Sequence, residues 1–234
     1  MIRINLWSSP RNVSTALMYS FAQRKNTIVV DEPLYAYYLN KSKVQHPAQQ
    51  EILESQSTNL QKVINNVLLG TYESQVVFFK QMTHHLYQTD LQFVKAFKNI
   101  IFIRDPRLII RSYSKVREKV TLQDIGIAQQ VSLLNFLKDD AIVLDSKFLL
   151  QQPKQCLTKL CERLSIPFDK VMLQWPAEAR KEDGVWAKHW YSNVHQSKGF
   201  KTYKVEEFTL NAELEKLAEE CLGFYEELKQ FALK

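Results

Sequence analysis

Glycine is scarce in this chain: five among 234 residues, and none in the segment that follows the first apolar strand pattern. The Walker A pattern G-x-x-x-x-G-K-[ST] is therefore absent, which disfavours an ordinary ATP site. Cysteine is scarcer still. Cys156, Cys161 and Cys221 show no C-x-x-C spacing, which points to buried thiols in a reducing compartment. No apolar run approaches the length of a membrane span or a signal-peptide core, and Arg11 follows Met1 too closely for an h-region to fit between them; a cytoplasmic location is expected. There is no low-complexity tract, obvious linker or internal repeat. Although the net charge is +6, no run of five or more basic residues occurs. Lys and Arg are spread along the chain, which favours a site for a small polyanion over a nucleic-acid or membrane surface.

What is present is enough chain for one α/β domain over residues 1–234, and too little for two well-sized enzyme domains. Strand patterns at 2–7, 27–31, 75–80, 99–103 and 141–145 alternate with helical patterns at 14–24, 49–69, 84–97, 106–117 and 122–139. Such alternation predicts a P-loop-like, mostly parallel sheet of about five strands flanked by helices. Beyond residue 146 the pattern is helical, best at 153–164 and 211–231, while Gly184 to Tyr203 reads as an irregular, lid-like segment. Open α/β sheets carry their chemistry at strand C-termini. Arg11, Glu32, Lys80, Arg104 and Asp145 all fall at or just past those ends.

Two segments carry the functional signal. In the first, Ile2 to Trp7 runs into Ser8-Ser9-Pro10-Arg11-Asn12-Val13-Ser14-Thr15 and then a helix pattern. A tight strand-to-helix turn aims unpaired N–H groups and the positive end of the helix dipole at one spot. Arg11 adds a planar charged fork and Ser9, Ser14 and Thr15 add hydroxyls, so the loop reads as a phosphate or sulfate cradle. In the second, Asn99 to Ile103 ends in Arg104-Asp105-Pro106-Arg107, and Ser112 follows Arg104 by eight residues. That interval is about two helical turns, so both residues can face one ligand.

Together these segments resemble the sulfotransferases that use 3′-phosphoadenosine 5′-phosphosulfate (PAPS). Pro10 to Thr15 is similar to their Pro-Lys/Arg-Ser-Gly-Thr-Thr-like loop, and Arg104 with Ser112 is similar to their Arg and Ser pair. In one soluble subgroup the likeness extends through Asp31-Glu32-Pro33-Leu34-Tyr35-Ala36, His46-Pro47, Lys80 with His84-His85, and Asp183 to Tyr191. The resemblance implies that Ser9, Arg11, Asn12, Val13, Ser14 and Thr15 hold the 5′-phosphosulfate, and that Arg104 and Ser112 hold the 3′-phosphate. Lys198 and Gly199 resemble a loop that closes over that phosphate. The product would be adenosine 3′,5′-bisphosphate (PAP). Two departures stand out. Many family members have glycine at the position of Val13, and a β-branched residue resists φ > 0, so a different backbone shape is expected there. Many also have lysine at the position of Arg11, which keeps the charge but cannot act as a proton donor.

In-line displacement at sulfur needs a cation near the departing oxygen and a base for the acceptor. Arg11 and Lys80 are the candidate cations, and no metal is expected. Glu32 and His84 compete as base: the resemblance supports a glutamate from this region in enzymes with an arginine loop, and a histidine after the lysine in others. Adjacent histidines point to opposite sides, so at most one of His84 and His85 is expected to face the site. The cluster Trp186 to Tyr191 supplies Trp186, His189 and Trp190 as candidate walls of an acceptor pocket. Alternatives are a small-molecule kinase, with Asp145 holding Mg²⁺ after the strand Ile142 to Leu144, and a non-catalytic nucleotide binder. The acceptor could be a small-molecule hydroxyl or amine.

Overall fold

Runs of β-branched, aliphatic and aromatic residues form five strands in the computed structural model, which describes residues 1–204 and 207–234: β1 (Ile2–Ser8), β2 (Thr27–Asp31), β3 (Val76–Met82), β4 (Lys98–Ile103) and β5 (Ala141–Asp145). They form one sheet in the order β2-β3-β1-β4-β5, with every adjacent pair parallel. A parallel sheet is covered on both faces and its strands alternate between two cores. Ile4, Leu6, Phe78, Phe102 and Leu144 face one core with Leu17, Phe21, Leu157 and Leu160. Trp7, Val77, Phe79, Ile101 and Val143 face the other with Ile109, Leu134 and Tyr225.

The first four helices are α1 (Ser14–Ala22), α2 (Tyr35–Ser42), α3 (Gln49–Ser55) and α4 (Leu60–Val63), the last continuing as a π-helical turn, Ile64–Leu68. After β4 come α5 (Pro106–Tyr113), α6 (Leu122–Ile125) and α7 (Ile127–Leu137); after β5 come α8 (Ser146–Gln151), α9 (Pro153–Leu164), α10 (Ala187–Trp190), α11 (Ser192–His195) and α12 (Ala212–Lys229). The packing of β1 against both β3 and β4 brings the loop after β1 between the ends of β3 and β4. That juxtaposition builds the site.

Several elements differ from the sequence pattern. The helix expected over 49–69 breaks before Asn59, whose side chain accepts from Lys62 N at 3.0 Å and starts a new helix. The one expected over 84–97 is two 3₁₀ turns, Thr83–Leu86 and Leu91–Ala96, separated where Gln88 turns left-handed at φ 52°. The expected helix at 122–139 is interrupted by Gly126 at φ 71°. α2 falls where no helix is expected, while α8 opens the stretch beyond residue 146 whose pattern is helical. Gly184 to Tyr203 is irregular only in part, since it contains α10 and α11. All three cysteines are free and buried. No helix among the described residues is long and apolar enough to cross a membrane.

Candidate active site

The loop after β1 is held in a strained shape. Arg11 and Val13 both occupy the left-handed region, at φ 58° and 50°, and Asn12 Nδ2 donates to the Phe102 carbonyl at 2.6 Å, tying the loop to β4. Alternating left- and right-handed residues turn backbone N–H groups toward one point, and α1 begins there. The different backbone shape expected of valine is not adopted: Val13 takes the conformation that suits glycine. The Asn12 tether on one side and the Leu17 N to Val13 O bond of α1 on the other fix the turn. Each left-handed non-glycine residue costs about 1–3 kcal/mol.

Arg104 and Ser112 converge on this loop. Pro106 opens α5, with Asp105 accepting from Arg107 N at 2.9 Å. Nearly two turns into the helix from there, Ser112 Oγ accepts from Arg11 Nε at 3.0 Å, and Arg104 Nη1 donates to the Arg11 carbonyl at 2.5 Å. Neither guanidinium has a carboxylate partner within ion-pair distance among the described residues. Burial lowers the pKa of both, and the charge of Arg11 lowers that of Arg104 further. Two cations held together in this way favour an anion between them.

The ends of β2 and β3 form a second, separate cluster. Lys80 is fully buried and pairs with Leu6 and Asp31 in the sheet register. It lies two residues inside β3, not at a strand end. Its Nζ donates to Asp31 Oδ1 at 2.9 Å, to Glu32 Oε1, and to Tyr191 OH at 2.5 Å. Tyr191 in turn donates to Asp31 Oδ2 at 2.8 Å and accepts from Trp186 Nε1 at 3.1 Å. Burial pulls Lys80 down, but Asp31 and Glu32 outweigh it and hold the ammonium charged. Glu32 moves up to about 7: burial raises it most, Lys80 opposes, and Asp31 adds to the rise. Glu32 also carries a left-handed backbone, φ 39°, fixed by its N–H to the Lys80 carbonyl at 2.8 Å and by Gln56 Nε2 to its own carbonyl at 3.1 Å. Lys80 is thus committed to two carboxylates, and the expectation of a free cation beside the transferred group is revised.

A cavity of about 830 Å³ joins the two clusters, within the size range of small-molecule sites. Arg11, Asn12, Val13, Ser14, Thr15, Glu32, Lys80, His84, Arg104, Ser112, Trp186, Trp190 and Gly199 line it. Ser9, Lys198 and His189 do not. Ser9 is buried, its hydroxyl without a partner among the described residues, and Lys198 and His189 are exposed. Residues 201–204 supply the lining expected of Lys198. Both His84 and His85 line the cavity, against the expectation of one at most, because they sit on a 3₁₀ turn and not on a strand. Burial, then His46 and Arg117, push His84 down to about 3. The segment bearing Trp186 and Tyr191 is pinned, not loose: Asp183 Oδ2 accepts from Tyr19 OH at 2.6 Å and meets His195 Nε2 at 3.0 Å, while Gly184 N donates to Asp31 Oδ2 at 3.2 Å.

Sequence reasoning missed Asp31 and Tyr191 as site members. The signal for Asp31 was available: a lysine within Val76–Met82, a run otherwise fit for burial, demands a carboxylate neighbour. In the kinase alternative Asp145 would hold Mg²⁺, and the structure sets it apart from the loop after β1. Its two oxygens accept from Lys147 N at 2.8 Å and Tyr225 OH at 2.7 Å, and β4 stands between its strand and β1.

Residues 2–232 match the family model described as "Sulfotransferase domain". Two Arabidopsis thaliana proteins, named branched-chain-amino-acid aminotransferase-like proteins 1 and 2, are 38% and 34% identical over 86% and 97% of the chain. The matches cover 37% and 41% of those proteins, so the chain spans about two fifths of their length. Among solved structures, the sulfotransferase domain from the curacin biosynthetic pathway has a TM-score of 0.60 at 19% identity, covering 93% of this chain and 96% of that one. The sulfotransferase from Alicyclobacillus acidocaldarius has a TM-score of 0.63 at 12% identity, covering 100% and 97%. At these identities the likeness is one of fold. The chain belongs to the sulfotransferase domain family.

Proposed function

We propose that this chain transfers a sulfuryl group from PAPS to the hydroxyl or amine of a small molecule. The observation that carries the reading is one cavity holding, at one end, a left-handed anion cradle with two guanidinium groups that have no carboxylate partner among the described residues and, at the other, a buried carboxyl whose pKa is raised chiefly by that burial. The residues fit the donor: the loop from Arg11 to Thr15 matches a 5′-phosphosulfate, and Arg104, with Ser112 beside Arg11, matches a second phosphate. When bound, PAPS supplies the sulfuryl group, its S–O bond to the 5′-phosphate breaking as the acceptor atom bonds to sulfur, which leaves PAP. Arg11 and the N–H groups of the loop stabilise charge on the leaving phosphate. Glu32 takes the acceptor's proton, and Lys80, held by Asp31 and Tyr191, keeps that carboxyl aimed into the cavity.

Between the two bases, Glu32 is favoured. A general base works best with a pKa near the working pH, and Glu32 lies at about 7 while His84 lies at about 3. The test is transfer of labelled sulfuryl from PAPS to pooled alcohols, phenols and amines, with EDTA present to separate this reaction from Mg²⁺-dependent phosphoryl transfer. Activity is expected to rise as pH passes through about 7, and Glu32→Gln is expected to lower kcat by roughly 10²- to 10⁴-fold with PAP affinity retained. Abolition of turnover by His84→Ala, with Glu32→Gln near wild type, would give the role to His84. Turnover only with Mg²⁺ and a nucleoside triphosphate would point to the kinase.

A further inference from the structure

The segment from Asp183 to His195 closes on itself outside the cavity and reaches into the acid cluster at two points. Asp183 Oδ2 accepts from Tyr19 OH at 2.6 Å, from Arg180 N at 2.9 Å and from His195 Nε2 at 3.0 Å. A carboxylate can only accept, so the His195 ring presents its N–H there. One oxygen thus ties the start of the segment to its end at α11, and both to the buried Tyr19 of α1. The Asp183 side chain is 5% exposed, and a buried carboxylate that gathers three donors is a firm anchor. Tyr19, Asp183 and His195 do not line the cavity.

What this clasped segment delivers converges on one atom. Gly184 N donates to Asp31 Oδ2 at 3.2 Å, and Tyr191 OH donates to the same oxygen at 2.8 Å. Tyr191 has one proton to give, and its oxygen already accepts from Lys80 Nζ and Trp186 Nε1. Giving that proton to Asp31 leaves none for Glu32 Oε1, 3.4 Å away. Trp186 can lie this close because residue 184 is glycine: a Cβ there would sit 2.1 Å from the indole ring. Lys80 covers Asp31 Oδ1 and Glu32 Oε1. Both oxygens of Asp31 and one of Glu32 are therefore engaged. Glu32 Oε2, with His85 Nε2 3.9 Å away, is the oxygen of the pair without a hydrogen bond among the described residues.

We propose that Asp183 is a positioning residue for the base: by closing the loop from which Gly184 and Tyr191 reach Asp31, it fixes which of two adjacent carboxyls takes the acceptor's proton and keeps water from Glu32. This rests on the proposed sulfuryl transfer, in which Glu32 is that base, and adds to it a residue that touches no reacting atom. The titratable groups around Glu32 are Asp31 from β2, Lys80 from β3, His85 from the turn after β3, Tyr35 from α2, and Tyr191. Burial raises Glu32 most, Lys80 opposes, and the charge of Asp31 adds to the rise. Opening the clasp admits water and lets Asp31 move away, and both changes lower Glu32. The base then becomes weaker as well as misplaced.

The test compares the full wild-type chain with Asp183→Ala, His195→Ala and His195→Gln, the last of which keeps a side-chain N–H for Asp183. Transfer of labelled sulfuryl from PAPS to pooled alcohols, phenols and amines gives kcat against pH. Carbon-13 NMR of the glutamate-labelled chain, with Glu32→Gln identifying the signal, follows the ionisation of Glu32 without turnover. In Asp183→Ala, kcat is expected to fall roughly 10- to 100-fold, the scale of a misplaced reacting group, with PAP affinity and far-UV circular dichroism retained. The acid limb of kcat and the Glu32 titration are both expected to move below the wild-type value of about 7. His195→Ala, at a part-exposed position that folding tolerates better, should act in the same direction, and His195→Gln should recover most of the loss. A lower kcat with the acid limb and the Glu32 titration unmoved in both alanine variants would make Asp183 a structural support only and overturn the proposal. Absence of transfer in the wild-type chain with PAP bound would overturn the sulfuryl-transfer reading, and with it the role built upon it.

Discussion

Glu32 shows how a single side chain is tuned by its neighbours. Its carboxyl is buried, its backbone is left-handed, and it shares one ammonium with Asp31. Burial matters most: it raises the acid, Lys80 opposes that rise, and the charge of Asp31 adds to it, which leaves Glu32 protonatable near neutral pH. The sequence pointed to Glu32 and Lys80 but not to what joins them, because the contact between β2 and β3 spans 48 residues and Tyr191 enters from 111 residues away. Arg104 offers the sharpest substitution at this scale. Arg104→Ala is expected to weaken PAP binding by about 1.5–3 kcal/mol, the range for a hydrogen bond to a charged group. Adenosine 5′-phosphosulfate, which lacks the 3′-phosphate, should lose little. Calorimetry showing equal losses for the two ligands would mean that Arg104 supports the loop through its bond to the Arg11 carbonyl and does not read the 3′-phosphate.

At the scale of elements, all five strands were legible within about two residues, since apolar runs in a sheet covered on both faces leave a strong local signal. α2 was not. Tyr35, Tyr37 and Tyr38 favour strands by local preference, and Pro33 reads as a strand ending. Tertiary burial overrides that preference, since Tyr35, Ala36, Tyr38 and Leu39 pack as one face with Trp186 and Tyr191. α10 and α11 escaped notice because four-residue helices carry too little periodicity to register. The loop before α1 carries a prediction of its own. If Val13 is strained at φ 50°, Val13→Gly relieves that strain while raising the entropy of the unfolded chain, and the two effects partly offset. The expected outcome in urea unfolding is a change within about 1 kcal/mol of zero, with PAP binding retained. A loss above about 2 kcal/mol would show that the valine side chain contributes more through packing than its backbone costs.

For the whole molecule, burial of ionisable groups sets an acid limit. His46 and His84 have folded values of about 4 and 3, both below the ordinary 6.5, and His85 is depressed as well. The unfolded chain therefore takes up protons below pH 6.5 that the folded chain refuses, so each histidine lowers stability as pH falls, by up to about 1.4 kcal/mol per pH unit. Glu32 acts in the opposite sense, because its folded value of about 7 exceeds the ordinary 4.5 and it gains a proton more readily when folded. Three histidines outweigh one carboxyl, so stability is expected to fall between pH 6.5 and 4.5. His46→Phe should flatten that fall, as measured by urea midpoints across the range; an unchanged slope would mean that His46 titrates normally in the fold. The general class of the site was readable from the cradle and the Arg104 and Ser112 spacing, whereas the acid cluster required the sheet order that brings β2, β3 and the segment around Tyr191 together. The most direct measurement is calorimetry of the full chain with two ligands: PAP in EDTA, and ATP with Mg²⁺. One-to-one binding of PAP, at least tenfold tighter than ATP, is expected from an arginine-lined cradle without a magnesium carboxylate; ATP with Mg²⁺ binding more tightly than PAP, or no binding of PAP at all, would contradict it.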